Sequence, residues 1–284
     1  MTASLLEVED LRLSYRGRGL RVRPKEVLHG VSLTLAEGEA LGLVGESGSG
    51  KTTIGRAILG LARPSAGRIV WNGQNITYAD RKERRLLARD IQVVFQDPYT
   101  SLNPSLTIGD ILTEPLVARG AKSADARRTV GALLDQVGLP SDASERLPRE
   151  FSGGQRQRVA IARALAPEPK LIVCDEPVSA LDLSTQARVM DLLIDIQRRT
   201  GVAYLFISHD LSVVRHISHR VAVLHQGELV ETGTADQVTS RPEHPYTQRL
   251  VLSSPVADPV EQEKRRNARA QLLAAAGQSG SPSL

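Results

Sequence analysis

The chain has 284 residues, 41% of them hydrophobic and 24% charged, enough to bury a core as one large domain or a domain with a subdomain. Its formal charge of +4, from 36 basic and 32 acidic residues, is too small to argue for a nucleic-acid partner, and 3% aromatic content offers little for stacking bases. A single cysteine, Cys174, excludes a disulfide framework within one chain and any cysteine-based metal site, and suits a reducing cytoplasm.

The opening residues turn acidic by Glu7 without a basic stretch and do not read as a signal peptide. No uninterrupted apolar run approaches the ~18 residues that suggest a spanning helix. Any membrane role is therefore expected to pass through a partner. Residues 5–13 and 27–35 alternate loosely and predict strands, and residues 40–44 form a short apolar run ending at a glycine. Between the first two lies a glycine-rich basic run, residues 16–25, read as an exposed hairpin loop with phosphate contact as the alternative.

Residues 52–61 place Ile54, Ala57, Ile58 and Leu61 at helical spacing. Residues 67–76 read as a hairpin turned by Asn72-Gly73, and residues 91–95 as a strand. From Asp97 to about Leu165 the pattern is mainly helical, including 124–137 and 155–165. Strands return at 171–174, 203–208 and 220–224, with a helix at 185–199. This alternation implies a parallel sheet interrupted by a helical insertion. The tail from about Glu261 is charged, then rich in Ala, Gly, Ser and Pro, and predicts a short helix and a disordered end.

Three motifs carry chemistry. Gly45-Glu46-Ser47-Gly48-Ser49-Gly50-Lys51-Thr52 fits G-x-x-x-x-G-K-[ST] between a strand and a helix. Glycines let backbone N–H groups turn toward phosphate, and the helix start adds a favourable dipole. Lys51 is expected to reach the β/γ-phosphates and Thr52 to offer a hydroxyl to Mg2+. The second motif is Asp175-Glu176, delivered by the buried strand 171–174 to the edge where parallel sheets bind ligands. Asp175 suits a magnesium shell and Glu176 the attacking water. The third is Ser152-Gly153-Gly154-Gln155 at a helix start. Ser152 suits an N-cap, while the two glycines bare a second anion site. Two such sites in one chain are economically explained if each is shared across a dimer.

With these motifs the chain resembles the ATP-binding-cassette family, over roughly residues 5–259. The resemblance implies an α/β fold: a P-loop NTPase (RecA-like) core with an antiparallel β subdomain, an inserted α-helical subdomain and a C-terminal extension. The implied divisions are 1–96 with 166–232 for the core and β subdomain, 97–165 for the helical signature subdomain, 233–260 for an oligopeptide-transporter-type extension, and 261–284 for a flexible tail. It implies ATP on Tyr15 (adenine stacking), Gly45, Ser47, Gly48, Ser49, Gly50, Lys51, Thr52 and Thr53. Ser152, Gly153, Gly154, Gln155 and Asp182 would serve the partner's nucleotide. Mg2+ would sit among Thr52, Gln96 and Asp175, and catalysis would fall to Glu176, His209, Gln96 and Lys51. Gln96 is similar to the glutamine joining core to helical insert, Ser179-Ala180-Leu181-Asp182 to the loop communicating between paired subunits, and His209 to the γ-phosphate histidine.

Finer resemblance, carried by Gln96-Asp97-Pro98-Tyr99-Thr100-Ser101-Leu102-Asn103-Pro104, by the residues from Asp175 to Asp182 and by His244-Pro245-Tyr246-Thr247-Gln248, is to dipeptide/oligopeptide-import ATPases. Ser105 stands where those proteins commonly carry arginine. The tail lacks the cysteine cluster of many members, so no iron–sulfur centre is expected. The implied partners are a second cassette, identical or different, membrane permeases docking near residues 99–106, and indirectly a solute-binding protein, at the cytoplasmic face of the membrane. Alternatives are import of nickel or another solute, or a non-transport role such as a phosphonate-processing complex. A small-molecule P-loop kinase would have no use for Ser152 to Gln155. Of the other histidines, His216 and His219 sit three apart on an expected helix and read as solvated. Cys174 reads as a buried packing residue.

Overall fold

The computed structural model describes residues 4–15 and 24–253. Two sheets frame it. The smaller is antiparallel, in the order β2-β1-β4-β5, from β1 (Ser4–Tyr15), β2 (Lys25–Ala36), β4 (Ala66–Trp71) and β5 (Gln74–Asn75). The larger runs β10-β9-β3-β8-β7-β6. Its strands β3 (Ala40–Val44), β6 (Ile91–Val94), β7 (Leu171–Asp175), β8 (Ala203–Ile207) and β9 (Arg220–His225) are parallel, and β10 (Glu228–Thr234) closes one edge antiparallel.

The central strands are buried on both sides, which is why they read as short continuous apolar runs. Alternate side chains enter different cores. Leu171 and Val173 of β7 join the antiparallel sheet and α1 (Lys51–Ile58). Ile172 and Cys174 join a core shared with α4 (Ile108–Ala118), α5 (Ser123–Gln136), α6 (Gly153–Leu165) and α7 (Leu183–Thr200). Helices α3 (Pro98–Ser101) to α6 fall in sequence between the neighbouring strands β6 and β7.

The Asn72-Gly73 hairpin is present. Trp71 pairs with Gln74, and both turn residues have positive φ, 47° and 78°, as a type I′ turn requires. The helix after the glycine loop ends at Ile58, short of Leu61. Gly60 takes a left-handed φ of 74°, its N–H reaches Ala57 O at 3.0 Å and Leu61 N–H reaches Arg56 O at 2.7 Å. That C-terminal motif closes the helix and leaves Leu61 64% exposed. His219 also departs from expectation. Helix α8 (Leu211–Ile217) stops before it, and its Nδ1 accepts the Ala40 N–H at 2.9 Å at the start of β3. His216 is on α8, with Nε2 3.2 Å from Asp191.

Helix α2 (Arg81–Asp90) carries no buried residue and has no apolar stripe to announce it. A capping box starts it: Asp80 Oδ1 accepts the Lys82 and Glu83 N–H groups at 2.8 Å each, and Glu83 Oε2 accepts the Asp80 N–H at 2.7 Å. The short helices α9 (Ala235–Ser240) and α10 (Pro245–Ser253) follow β10. The expectations for the basic run 16–23 and for the tail from Glu261 lie outside the described residues.

Candidate functional site

The glycine loop leaves β3 at Val44 and enters α1 at Lys51. Close packing dictates two of its glycines. A Cβ on Gly45 would lie 2.1 Å from the Leu224 carbonyl oxygen, and one on Gly50 would lie 2.7 Å from Leu28 Cδ2 with φ at 109°. The loop is therefore wedged between β2 and the end of β9. The turn after β9 adds a bond, Gly227 N–H to Ser49 O at 3.0 Å. Gly50 caps α1 without a side chain, and no acid stands in the first turn. The N–H groups of Lys51, Thr52 and Thr53, which a helix start leaves without internal acceptors, are thus kept for an anion. Ser49 Oγ is buried without a partner, a further orphan polar group on this loop. The donors present fit a nucleotide's phosphates.

Lys51 Nζ is turned onto the loop itself, donating to Gly45 O at 2.7 Å and Glu46 O at 2.8 Å. Burial lowers its affinity for a proton, against the raising influence of Glu176, Asp175 and Glu46. Thr52 Oγ1 donates to Asp175 Oδ1 at 2.9 Å. Burial pushes the Asp175 carboxyl up, and the Thr52 bond offsets part of this. The next residue, Glu176, leaves the strand at a left-handed φ of 50°, with its N–H bonded to Ile207 O at 2.9 Å. Its Oε1 is 3.3 Å from His209 Nδ1, just past the end of β8. Lys51, Thr52, Asp175, Glu176 and His209 therefore gather at one end of β3, β7 and β8. Gln96 lies just beyond β6, the neighbour of β7, at that same end. Tyr15 ends β1 opposite Lys25 and is 42% exposed, on the strand pair whose Leu28 packs on the loop.

Ser152 to Gln155 stand elsewhere, at the start of α6. Ser152 caps the helix as expected: its Oγ accepts the Gln155 N–H at 3.4 Å, and Gln155 Oε1 accepts the Ser152 N–H at 3.0 Å. Gly154 has an additional, internal reason to be glycine, since a Cβ there would meet Thr185 Cγ2 at 2.3 Å. Asp182 is occupied too. Its carboxylate caps α7 and accepts from Thr185 N–H, Thr185 Oγ1 and Ser184 Oγ, which hold it below the usual carboxylate range. These two helix starts adjoin each other, and they supply no group to the Thr52–Asp175 pair.

One neighbour of the loop was not anticipated. The hydroxyl of Tyr246, on α10, accepts the Glu46 N–H at 3.0 Å. In the sequence, His244-Pro245-Tyr246 is legible only as a mark of resemblance.

A family model described as "ABC transporter" matches residues 28–179, which includes the loop, the Ser152 helix start and the Asp175–Glu176 pair. The chain belongs to the ABC transporter family. It is an ATP-binding ATPase of that family, with mixed α/β cassettes as its structural neighbours. A second model, "Oligopeptide/dipeptide transporter, C-terminal region", matches residues 230–280. The oligopeptide transport ATP-binding protein OppF of Salmonella typhimurium is 48% identical over 277 residues, covering 95% of this chain and 82% of OppF. The glutathione import ATP-binding protein GsiA of Escherichia coli is 52% identical over 237 residues, 83% of this chain but only 38% of GsiA's own length. Among solved structures, cbiO1 of Clostridium perfringens, part of an ABC transporter complex, matches with TM-score 0.75 and 28% identity over 87% of this chain and 95% of its own. A dimeric cassette in a post-hydrolysis state with ADP and Pi matches with TM-score 0.72 and 32% identity over 81% of this chain and 98% of its own.

Proposed function

We propose that this ATPase powers an importer of di- or oligopeptides, paired with a second cassette against membrane permeases on the cytoplasmic side. The observation that carries the reading is the 48% identity to OppF across 82% of that protein, joined by the oligopeptide-type C-terminal match. No helix among the described residues is long and apolar enough to cross a membrane, so the permeases would provide the path and a solute-binding protein the delivery.

At the site, the loop from Gly45 to Thr52 with Ser47, Gly48, Ser49 and Thr53 would cradle the phosphates, with Lys51 leaving Gly45 O and Glu46 O to meet them. Tyr15 would lie against adenine. Thr52, Asp175 and Gln96 would hold Mg2+, whose chemistry is to neutralise charge on the phosphate oxygens. Glu176 accepts the proton of the attacking water, and His209, 3.3 Å away, stabilises the arrangement beside the γ-phosphate. Ser152, Gly153, Gly154 and Gln155 at the dipolar start of α6, with Asp182 nearby, would close over the nucleotide of the paired subunit. In this division, 97–165 forms the helical subdomain, 1–96 and 166–232 the core, and 233–260 the extension.

Reconstitution in vesicles with the permeases and binding protein tests the proposal. Peptide uptake that requires ATP and this chain is expected. Uptake of nickel alone, or ATP-dependent activity only with soluble enzymes, would overturn the peptide reading.

A further inference from the structure

The loop that would hold phosphate is gripped by a residue of the C-terminal region. The peptide unit joining Gly45 to Glu46 is held on both edges: its carbonyl takes Lys51 Nζ at 2.7 Å, and its N–H donates to the Tyr246 hydroxyl at 3.0 Å. Two of the three donors of Lys51 Nζ are spent on loop carbonyls, so turning the ammonium toward a phosphate would loosen the carbonyl edge. The grip on the nitrogen edge does not depend on Lys51. It matters because Gly45, at φ 153°, has no side chain to resist rotation of this peptide.

The tyrosine is itself fixed from three directions. It is 3% exposed and stacks on His225, with ring centroids 3.8 Å apart and an interplanar angle of 29°. His225 follows Leu224, whose carbonyl is the backbone wall against Gly45. The start of α10 is moored to β10, because Glu231 accepts the N–H groups of Glu243 and His244 at 2.9 and 3.0 Å. His244 Nδ1 in turn accepts the Tyr246 N–H at 3.2 Å. Burial raises the Glu231 carboxyl, but the neighbouring Thr247 and the N–H groups of Glu243 and His244 more than offset this and keep it below its ordinary range. The anchor is thus a stable carboxylate.

We propose that Tyr246 is a positioning residue for ATP: it holds the Gly45–Glu46 peptide in place while Lys51 transfers from the loop to the nucleotide, tying ATP affinity to the C-terminal region. The inference rests on the reading that residues 45–52 receive the nucleotide phosphates.

The test uses the full chain, assembled with its partners for turnover. Tyr246→Phe keeps the ring and the His225 stack and removes only the oxygen that takes the Glu46 N–H. Its KM and Kd for ATP should rise about 5-fold, the worth of one ordinary hydrogen bond. At saturating ATP, kcat should stay within about twofold, and the melting temperature should fall by no more than about 2–4 °C. Lys51→Ala is measured beside it. If Lys51→Ala weakens ATP binding while Tyr246→Phe matches the wild type, the positioning role is wrong and the nucleotide reading stands. A fall in melting temperature with the KM/kcat split absent makes Tyr246 a packing residue and also overturns the proposal. If Lys51→Ala binds ATP normally, the nucleotide reading fails and takes the inference with it.

Discussion

Thr52 Oγ1 donates to Asp175 Oδ1 at 2.9 Å across 123 positions of sequence. The bond fastens the first turn of α1 to the end of β7, and it joins the two groups proposed to share Mg2+. The carboxylate at its far end is burdened by its surroundings.

Because burial raises the folded-state pKa of Asp175, its charged form costs stability. The penalty is absent below the ordinary carboxylate range and grows as pH rises through the raised value. Asp175→Asn keeps an oxygen for Thr52 and removes the charge. The nucleotide-free variant should melt higher than the wild type near about pH 7, with the advantage shrinking toward about pH 4, while ATP turnover is lost. Thermal denaturation at the two pH values checks the sign.

Glu176→Gln should still bind ATP but lose at least about 10²-fold in turnover, the scale of a positioned acid–base group. It should also hold the paired cassettes together on ATP, visible by size-exclusion chromatography. Near-normal hydrolysis would remove Glu176 from its role.

Gly154→Ala brings a Cβ within 2.3 Å of Thr185 Cγ2. The clash should destabilise the chain by about 1–3 kcal/mol, as overpacking does. Adding Thr185→Ser removes that methyl and keeps the hydroxyl for Asp182, so the double variant should recover most of the loss. Urea denaturation of the four chains measures the coupling.

Gly45→Ala offers no such rescue. The obstacle, 2.1 Å away, is the backbone carbonyl of Leu224. The loop must shift, and ATP binding measured by calorimetry should fall by at least about tenfold even where the fold survives.

The sequence makes β3, β7 and β8 plain because strands buried on both faces leave unbroken apolar runs beside recognisable loops. It is silent on α2, which is held by the Asp80–Glu83 capping box, by Arg84 bonded to Ile58 O and Ile76 O, and by the partly buried Leu87 against the core, without any fully buried residue. Leu61 fits the helical spacing, but the backbone turn at Gly60 overrules it. Gly154 is visible as part of a motif, while its need for space beside Thr185 is a tertiary fact. The same holds for Tyr246 and Glu46, 200 positions apart and joined only once β9, β10 and α10 are in place.

The division of each central strand between two cores has a consequence for how the protein can change. Leu205 and Ile207 of β8 enter one core and Tyr204 and Phe206 the other, as Leu171 with Val173 and Ile172 with Cys174 do in β7. Removing one residue from either strand would reverse every side chain beyond the cut and draw Glu176 or His209 back by about 3.3 Å. Hydrophobic exchanges at these positions leave that length intact. The central sheet works as a ruler, tolerant of hydrophobic exchange along its length but not of shortening.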